Sequence, residues 1–291
     1  MAAGIIAIIS FFWGIIAGVN RIVHNTIRVR RVYKSNDRDW NDFSQLFEER
    51  IRFELREAPE DIGEWLDEYE LEKKNDRNSY GEYLLVAKFR RRVIGFLFFE
   101  YSFKTNFMYI GFIGGEKNEG DTNYRSVTTS LVKGCHKILK KEISKCKLII
   151  FEVDDENDQN LTDEQRQDAE AKKRLFGSQV LKKGIRKRGA KVYEICLDYF
   201  QLPLHRNQHK SIKQDLVIVP LNQNVVSEDM TISREYMKEI MDFLFFEVYD
   251  PLSEERYLGS EYHTTLTKYY EKFLESAPEK IKLKQLTRVR K

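Results

Sequence analysis

The sequence predicts an α/β protein, and three observations carry that expectation. Tyr83 to Phe89, Val93 to Tyr101 and Phe107 to Ile113 are short runs rich in Val, Ile, Phe and Tyr, separated by basic or Lys-Thr-Asn turns, which is the signature of an antiparallel meander. From Ser126 onward Val127, Leu131, Val132, Cys135, Ile138 and Leu139 recur with the spacing of one helix face. Leu148 to Val153 is then a continuous apolar run of strand length, so a strand feeds a helix and the helix returns to a strand.

The elements follow in chain order. Residues 2–19, AAGIIAIISFFWGIIAGV, are 18 uncharged, mostly apolar positions, and as a helix at about 1.5 Å per residue they approach the thickness of a bilayer core. No Lys or Arg precedes the segment, and Arg21, Arg28, Arg30 and Arg31 follow it. Residues 1–20 therefore read as a single-pass membrane anchor with the body of the chain in the cytoplasm; a buried N-terminal helix is the alternative. Ile27 to Val32 alternates as a half-buried edge strand. Trp40, Phe43, Leu46, Phe47 and Ile51 have helical period, with Asp37 or Asp39 as N-cap. A second helix opens at Pro59, carries Ile62, Trp65, Leu66 and Tyr69, and ends at Asn75–Ser79. The acids of these two helices, Glu48, Glu49, Glu54, Glu57, Glu60, Asp61, Glu64, Asp67 and Glu68, read as a solvated face or, alternatively, as a selector for a cationic amine.

After the meander, Tyr124 to Ser130 reads as a turn into the amphipathic helix. Its first backbone N–H groups are unsatisfied and carry the positive end of the dipole, so an anion can bind there, with Ser126, Thr128, Thr129 and Ser130 adding hydroxyls. The loop Asp154–Asp163 lacks the central Gly and terminal Glu of a calcium loop, and no metal is expected. Thr162 caps a charged helix through Ile185 that ends on Lys182, Lys183, Arg186, Lys187 and Arg188. No aromatics interleave that basic run, so a nucleic-acid partner is not expected. Val192–Phe200 and Ile212–Val219 are the last two strands, and His205 and His209 between them have no third ligand near in sequence. Beyond Asn222, apolar stripes from Met237 to Val248 and from Tyr257 to Phe273 predict a helical extension, residues 221–291. The basic stretch Lys280–Lys291 reads as a tail, either disordered or lying on an anionic membrane surface.

The composition, 42% hydrophobic and 13% aromatic with five prolines in 291 residues, is that of a folded chain with little linker. Charged residues are 33% of the chain, yet the net charge is only +3, which singles out no nucleic-acid partner. Cys135, Cys146 and Cys196 are odd in number and widely spaced, and read as reduced thiols.

The order strand, strand, strand, Tyr-Arg turn, helix, strand resembles the core of the GNAT superfamily of N-acetyltransferases, and the chain looks like a divergent bacterial member carrying an N-terminal membrane segment. That family's pyrophosphate loop is written R/Q-x-x-G-x-G/A. Arg125 matches its first position, and Thr128 and Ser130 stand where the two small residues are expected. Arg188-Gly189-Ala190 followed by Tyr199-Phe200-Gln201-Leu202-Pro203-Leu204 is similar to the RxGA … YxQPxL run of some bacterial members. The resemblance covers roughly residues 27–220. It implies a mixed, mostly antiparallel GNAT-like sheet flanked by helices, closed by the last two strands as a hairpin, with the two acidic helices walling an acceptor groove. It further implies acetyl-CoA or another acyl-CoA, with phosphates over Arg125, Ser126, Val127, Thr128, Thr129 and Ser130, and a carbonyl-polarising backbone N–H near Phe112, Ile113 and Gly114.

Acyl transfer to an amine needs positioning, a polarised carbonyl and a proton acceptor. The resemblance makes Glu152 the base, inside an apolar strand where burial raises its pKa; a solvent-facing strand residue is the alternative. Ile185 stands where the family places a Tyr acid, which leaves Tyr193 and Tyr199 as substitutes by residue type. Two readings remain. One is an acyl-CoA-dependent N-acetyltransferase of a small-molecule or protein amine, tethered to the cytoplasmic face of a membrane through residues 2–19. The other is a catalytically degenerate GNAT-like binding or regulatory module.

Overall fold

Ile27–Val32 forms β1, the edge of a ten-stranded mixed sheet. The computed structural model describes residues 27–51, 57–74, 79–116, 124–155, 191–202, 204, 211–221, 223–254 and 258–286, with isolated positions between 157 and 173. β2 (Tyr80–Phe89), β3 (Arg92–Ser102) and β4 (Phe107–Gly115) continue from β1 as antiparallel neighbours. Helices α1 (Trp40–Arg50) and α2 (Pro59–Lys74) lie between β1 and β2 in the chain. α3 (Tyr124–Lys141) carries the chain across to β5 (Leu148–Asp154), which runs parallel to β4. β6 (Tyr193–Ile195) and β7 (Tyr199–Gln201) both pair with β8 (Ile212–Pro220), itself antiparallel to β5. β9 (Thr231–Ser233), α4 (Arg234–Phe243), a π-helical segment Leu244–Tyr249, α5 (Ser260–Ser276) and β10 (Lys280–Gln285) complete the described chain. The strand order is β1-β2-β3-β4-β5-β8-β6-β10-β9.

The period-2 pattern of the strands sorts the core by face. On one face Val127, Leu131, Cys135 and Ile138 of α3 pack on Leu85, Leu97, Ile113 and Phe151. The opposite face carries two layers. Phe43, Phe47 and Leu66 of α1 and α2 cover Leu84, Val86, Phe96 and Phe98. Met237, Ile240, Phe245 and Leu266 of the C-terminal region cover Leu148, Ile150 and Ile218. A cleft opens where those two layers adjoin.

Several expectations are corrected. Tyr124–Ser130 is no turn but the first two turns of α3, because Val127 and Leu131 already face the sheet and the Ser130 hydroxyl donates to the Ser126 carbonyl at 2.9 Å. Asp39 stands at the N-cap of α1 without a side-chain cap bond; its carboxylate pairs instead with Arg30 and Lys88, charge-assisted bonds that outweigh a cap. The run Val192–Phe200 breaks into β6 and β7 around Leu197, whose N–H turns back to the Ile195 carbonyl at 3.0 Å. The expected closing hairpin is not an edge: β8 is inside the sheet, with β6, β10 and β9 beyond it.

The C-terminal extension is not purely helical, and Lys280–Gln285 is not tail. KIKLKQ alternates, buries Ile281 and Leu283, and pairs with β6 and β9. Residues 2–19, His205, His209 and most of the helix expected through Ile185 lie outside the described residues; Thr162 does cap the start of that helix, its Oγ1 accepting from the Gln165 N–H at 3.2 Å. Among the described residues no helix is long and apolar enough to cross a membrane.

Gly95 of β3 lets the first turns of α3 lie close on the sheet. A Cβ there would meet Val127 Cγ1 at 2.3 Å and the Gly114 carbonyl oxygen at 3.1 Å. Gly95→Ala is expected to lower stability by about 1–3 kcal/mol through overpacking. An unchanged urea midpoint would contradict that close approach.

Candidate active site

The site begins with a register error built into β4. β3 pairs Phe98 with Phe112 but Glu100 with Tyr109, so β4 carries one extra residue between those pairs. Such a bulge bends a strand and re-aims its side chains. Before it, Tyr109 belongs to the C-terminal layer and Ile110 to the α3 side; after it, Phe112 faces α1 and Ile113 faces α3. Gly111 sits at the extra position, where a Cβ would approach Phe98 Cδ1 to 3.3 Å.

The bulge is also where β4 leaves β5. Their parallel pairing runs from Phe107 opposite Leu148 to Ile110 opposite Phe151 and stops, although β4 continues to Gly115 and β5 to Asp154. β3 still holds β4 on its far side, and β8 still holds β5 through Asp154. In an antiparallel pair every second residue turns its N–H and C=O away from its partner. Beyond Ile110 those groups of β4 face a gap and not β5.

Glu152 stands on the gap. It shares the strand face of Leu148 and Ile150, and so points toward the C-terminal layer. Three phenols hold its carboxylate: Tyr199 and Tyr249 donate to Oε1, and Tyr109 donates to Oε2 at 2.8 Å. The Tyr199 and Tyr249 hydroxyls are 3.4 Å apart. Burial raises the Glu152 pKa and the three donors oppose that rise. Burial, with the carboxylate beside them, keeps all three phenols protonated well above the ordinary tyrosine range. Tyr249 closes the π-helical segment, a wide helical turn that also buries Leu244 and Phe245.

The cleft around Glu152 encloses about 710 Å³, its solvent-open mouth included. Two further glutamates line it. Glu100 of β3 accepts from the Tyr80 phenol. Glu57, just before α2, aims a buried carboxylate into the same space, and its Oε2 has no hydrogen-bond partner among the described residues. Burial pushes both up to about 8. Mutual repulsion adds to it: Glu100, Asp61 and Glu152 act on Glu57, and Glu152 acts on Glu100. Ile51, Ile110, Phe112, Phe151 and Leu204 give the cleft apolar walls, and the Gln214 amide donates to Gln201 at 2.7 Å at its far end.

Of the residues singled out from sequence, the structure brings together Glu152, Tyr199, Phe112 and Ile113; Gly114 follows in β4. Tyr193 is buried in β6 opposite Ile218, away from the cleft lining. Arg125, Ser126, Val127, Thr128, Thr129 and Ser130 form the start of α3; Val127 and Thr128 are buried at 1% exposure, while Ser126, Thr129 and Ser130 are half-buried. Sequence reasoning missed Tyr109, Tyr249, Glu100 and the inward aim of Glu57. Glu100 was findable, since it interrupts an apolar strand just as Glu152 does. Tyr249 carried no local signal.

No family model matches the chain, and no curated protein matches it. Among solved structures it is similar to a putative acetyltransferase of the GNAT family from Bacteroides thetaiotaomicron, at 14% identity, 76% coverage of this chain, 99% of that one, and a TM-score of 0.41. A putative GNAT-family acetyltransferase from Desulfovibrio desulfuricans is 11% identical over 67% of this chain and 98% of its own, TM-score 0.41. A putative acetyltransferase from Salmonella typhimurium, solved with its cofactor acetyl-CoA, is 12% identical over 69% and 98%, TM-score 0.40. These are likenesses only, and what the cleft can do rests on its own residues.

Proposed function

We propose that the chain is an acyl-CoA-dependent N-acetyltransferase. The observation that carries this reading is the parting of β4 from β5 beside a carboxylate held by three phenols. The residues fit an acyl-CoA: unpaired backbone past Ile110 can lie along an extended, amide-bearing chain, and the start of α3, which follows β4, offers free N–H groups to phosphates. Arg125 to Ser130 would hold the phosphates, and Phe112 to Gly114 would supply the carbonyl-polarising N–H. When bound, an acyl-CoA would supply an activated acyl carbon to bond with the amine nitrogen as the carbon–sulfur bond breaks, and a thiolate leaving group that would take up a proton from water to become the free thiol. Glu152 takes the proton from the acceptor nitrogen, directly or through one water. Tyr109, Tyr199 and Tyr249 fix its orientation and keep its charged form accessible despite burial.

Calorimetric titration with acetyl-CoA, followed by a thiol-release assay with an amine panel, tests the reading. Saturable binding and amine-dependent thiol release are expected. Binding without release would leave the degenerate binding module, and absence of binding would remove the cofactor. Membrane tethering is a separate part of the proposal, supported by the 18 uncharged positions of residues 2–19. Full-length protein should stay with membranes until detergent is added; recovery in the soluble fraction without detergent would rule the tether out.

A further inference from the structure

The cleft holds more carboxyl groups than one proton transfer needs. Glu152 suffices as a base, yet Glu57 and Glu100 line the same space, and among the described residues no Lys, Arg or His lines it. Glu57 is only 9% exposed, and its buried Oε2 has no hydrogen-bond partner among the described residues. A buried carboxylate oxygen left unpaired is costly, and the cost is removed when a donor arrives. Among the described residues no group of three or more His, Cys, Asp and Glu side chains is placed to hold a metal ion, so the carboxyls are spread along the cleft and not gathered at a point. Their spread follows from the sheet. Glu100 and Glu152 are on β3 and β5, two strand spacings apart and offset along the strands, so their backbones are more than about 10 Å apart. On that same side of the sheet Ile51, Phe112 and Leu204 give the cleft an apolar wall.

We infer that the acceptor is an aliphatic amine carrying at least two cationic nitrogens, one presented to Glu152 and a second held between Glu57 and Glu100, with the hydrocarbon stem along the apolar wall. The fate of the first nitrogen rests on the transfer reading above; recognition of the second does not. A monoamine reaches Glu152 and leaves Glu57 unpaired, whereas a diamine satisfies both ends. Cation binding also draws protons off Glu57 and Glu100, which burial and repulsion otherwise keep protonated into the neutral range.

Isothermal titration of the full-length protein without acyl-CoA, using putrescine, spermidine and n-butylamine at neutral pH, tests the inference. Putrescine or spermidine is expected to bind at least about tenfold more tightly than n-butylamine, the order of one added charge-assisted contact. Glu57→Gln, isosteric and without the buried charge, should bring that ratio close to one, and Glu100→Gln provides the same readout if the first variant folds poorly. Equal affinity for diamine and monoamine, no binding of either, or an unchanged ratio in a folded Glu57→Gln protein would overturn the inference. A diamine that binds with the expected ratio to a protein that ignores acetyl-CoA would uphold the inference and remove the transferase reading.

Discussion

Glu152→Gln is expected to lower kcat/KM for acetyl transfer by about 10² to 10⁴, the range that a positioned general base supplies. The substitution keeps the shape and an acceptor oxygen for the phenols, so folding is retained while the proton acceptor is lost. Wild-type kcat/KM should rise with pH as Glu152 loses its proton. That limb lies above the ordinary carboxylate range because burial raises the Glu152 pKa, and it should be absent from the variant. Acetyl-CoA affinity should change little, since Glu152 is across the gap from the β4 edge and from α3. A variant within about twofold of wild type in kcat/KM would show that the acceptor loses its proton elsewhere.

The second large effect is on stability. Glu57 and Glu100 have folded-state pKa values raised from 4.5 to about 8, first by burial and then by neighbouring carboxylates. Between those values the folded chain keeps protons that the unfolded chain has released. The unfolded state therefore binds fewer protons, and stability falls as pH rises, by at most about 1.4 kcal/mol per pH unit for each group. The loss begins above the unfolded value and is complete once pH passes the folded one. Glu57→Gln mimics the protonated carboxyl throughout. It is expected to match wild type near pH 5 and to be more stable near pH 8, by an amount of order 1–3 kcal/mol. Urea unfolding at both pH values reads this directly. Parallel pH curves for the two proteins would show that Glu57 ionises freely in the folded state.

The meander and the helix that follows it were legible because their signals are local. Alternation in Ile27–Val32, apolar runs bounded by turn residues, and one apolar helix face from Val127 to Leu139 name their elements with boundaries close to those observed. Lys280–Gln285 was equally legible, since KIKLKQ alternates as plainly as β1. Its charge drew the reading toward a tail, although lysines on the open side are what an amphipathic strand near a sheet edge requires. Tyr124–Ser130 misled for the opposite reason: Ser and Thr favour turns, but here tertiary burial of Val127 and Thr128 holds them in helix.

Residue types and periodicity by themselves determined that a strand feeds a helix between two strands, and that a carboxylate interrupts β5 at Glu152. Which groups meet that carboxylate only the tertiary structure decided. Tyr109, Tyr199 and Tyr249 are separated by up to 140 positions, and their convergence depends on one strand face, a broken strand paired with β8 and a π-helical turn. The gap between β4 and β5 likewise follows from a single extra residue near Gly111. A bulge is a difference of register between two strands, so one strand's sequence cannot display it. The inward aim of Glu57 belongs to the same class, for its place in an acidic stretch reads as solvated until the helical layers close over it.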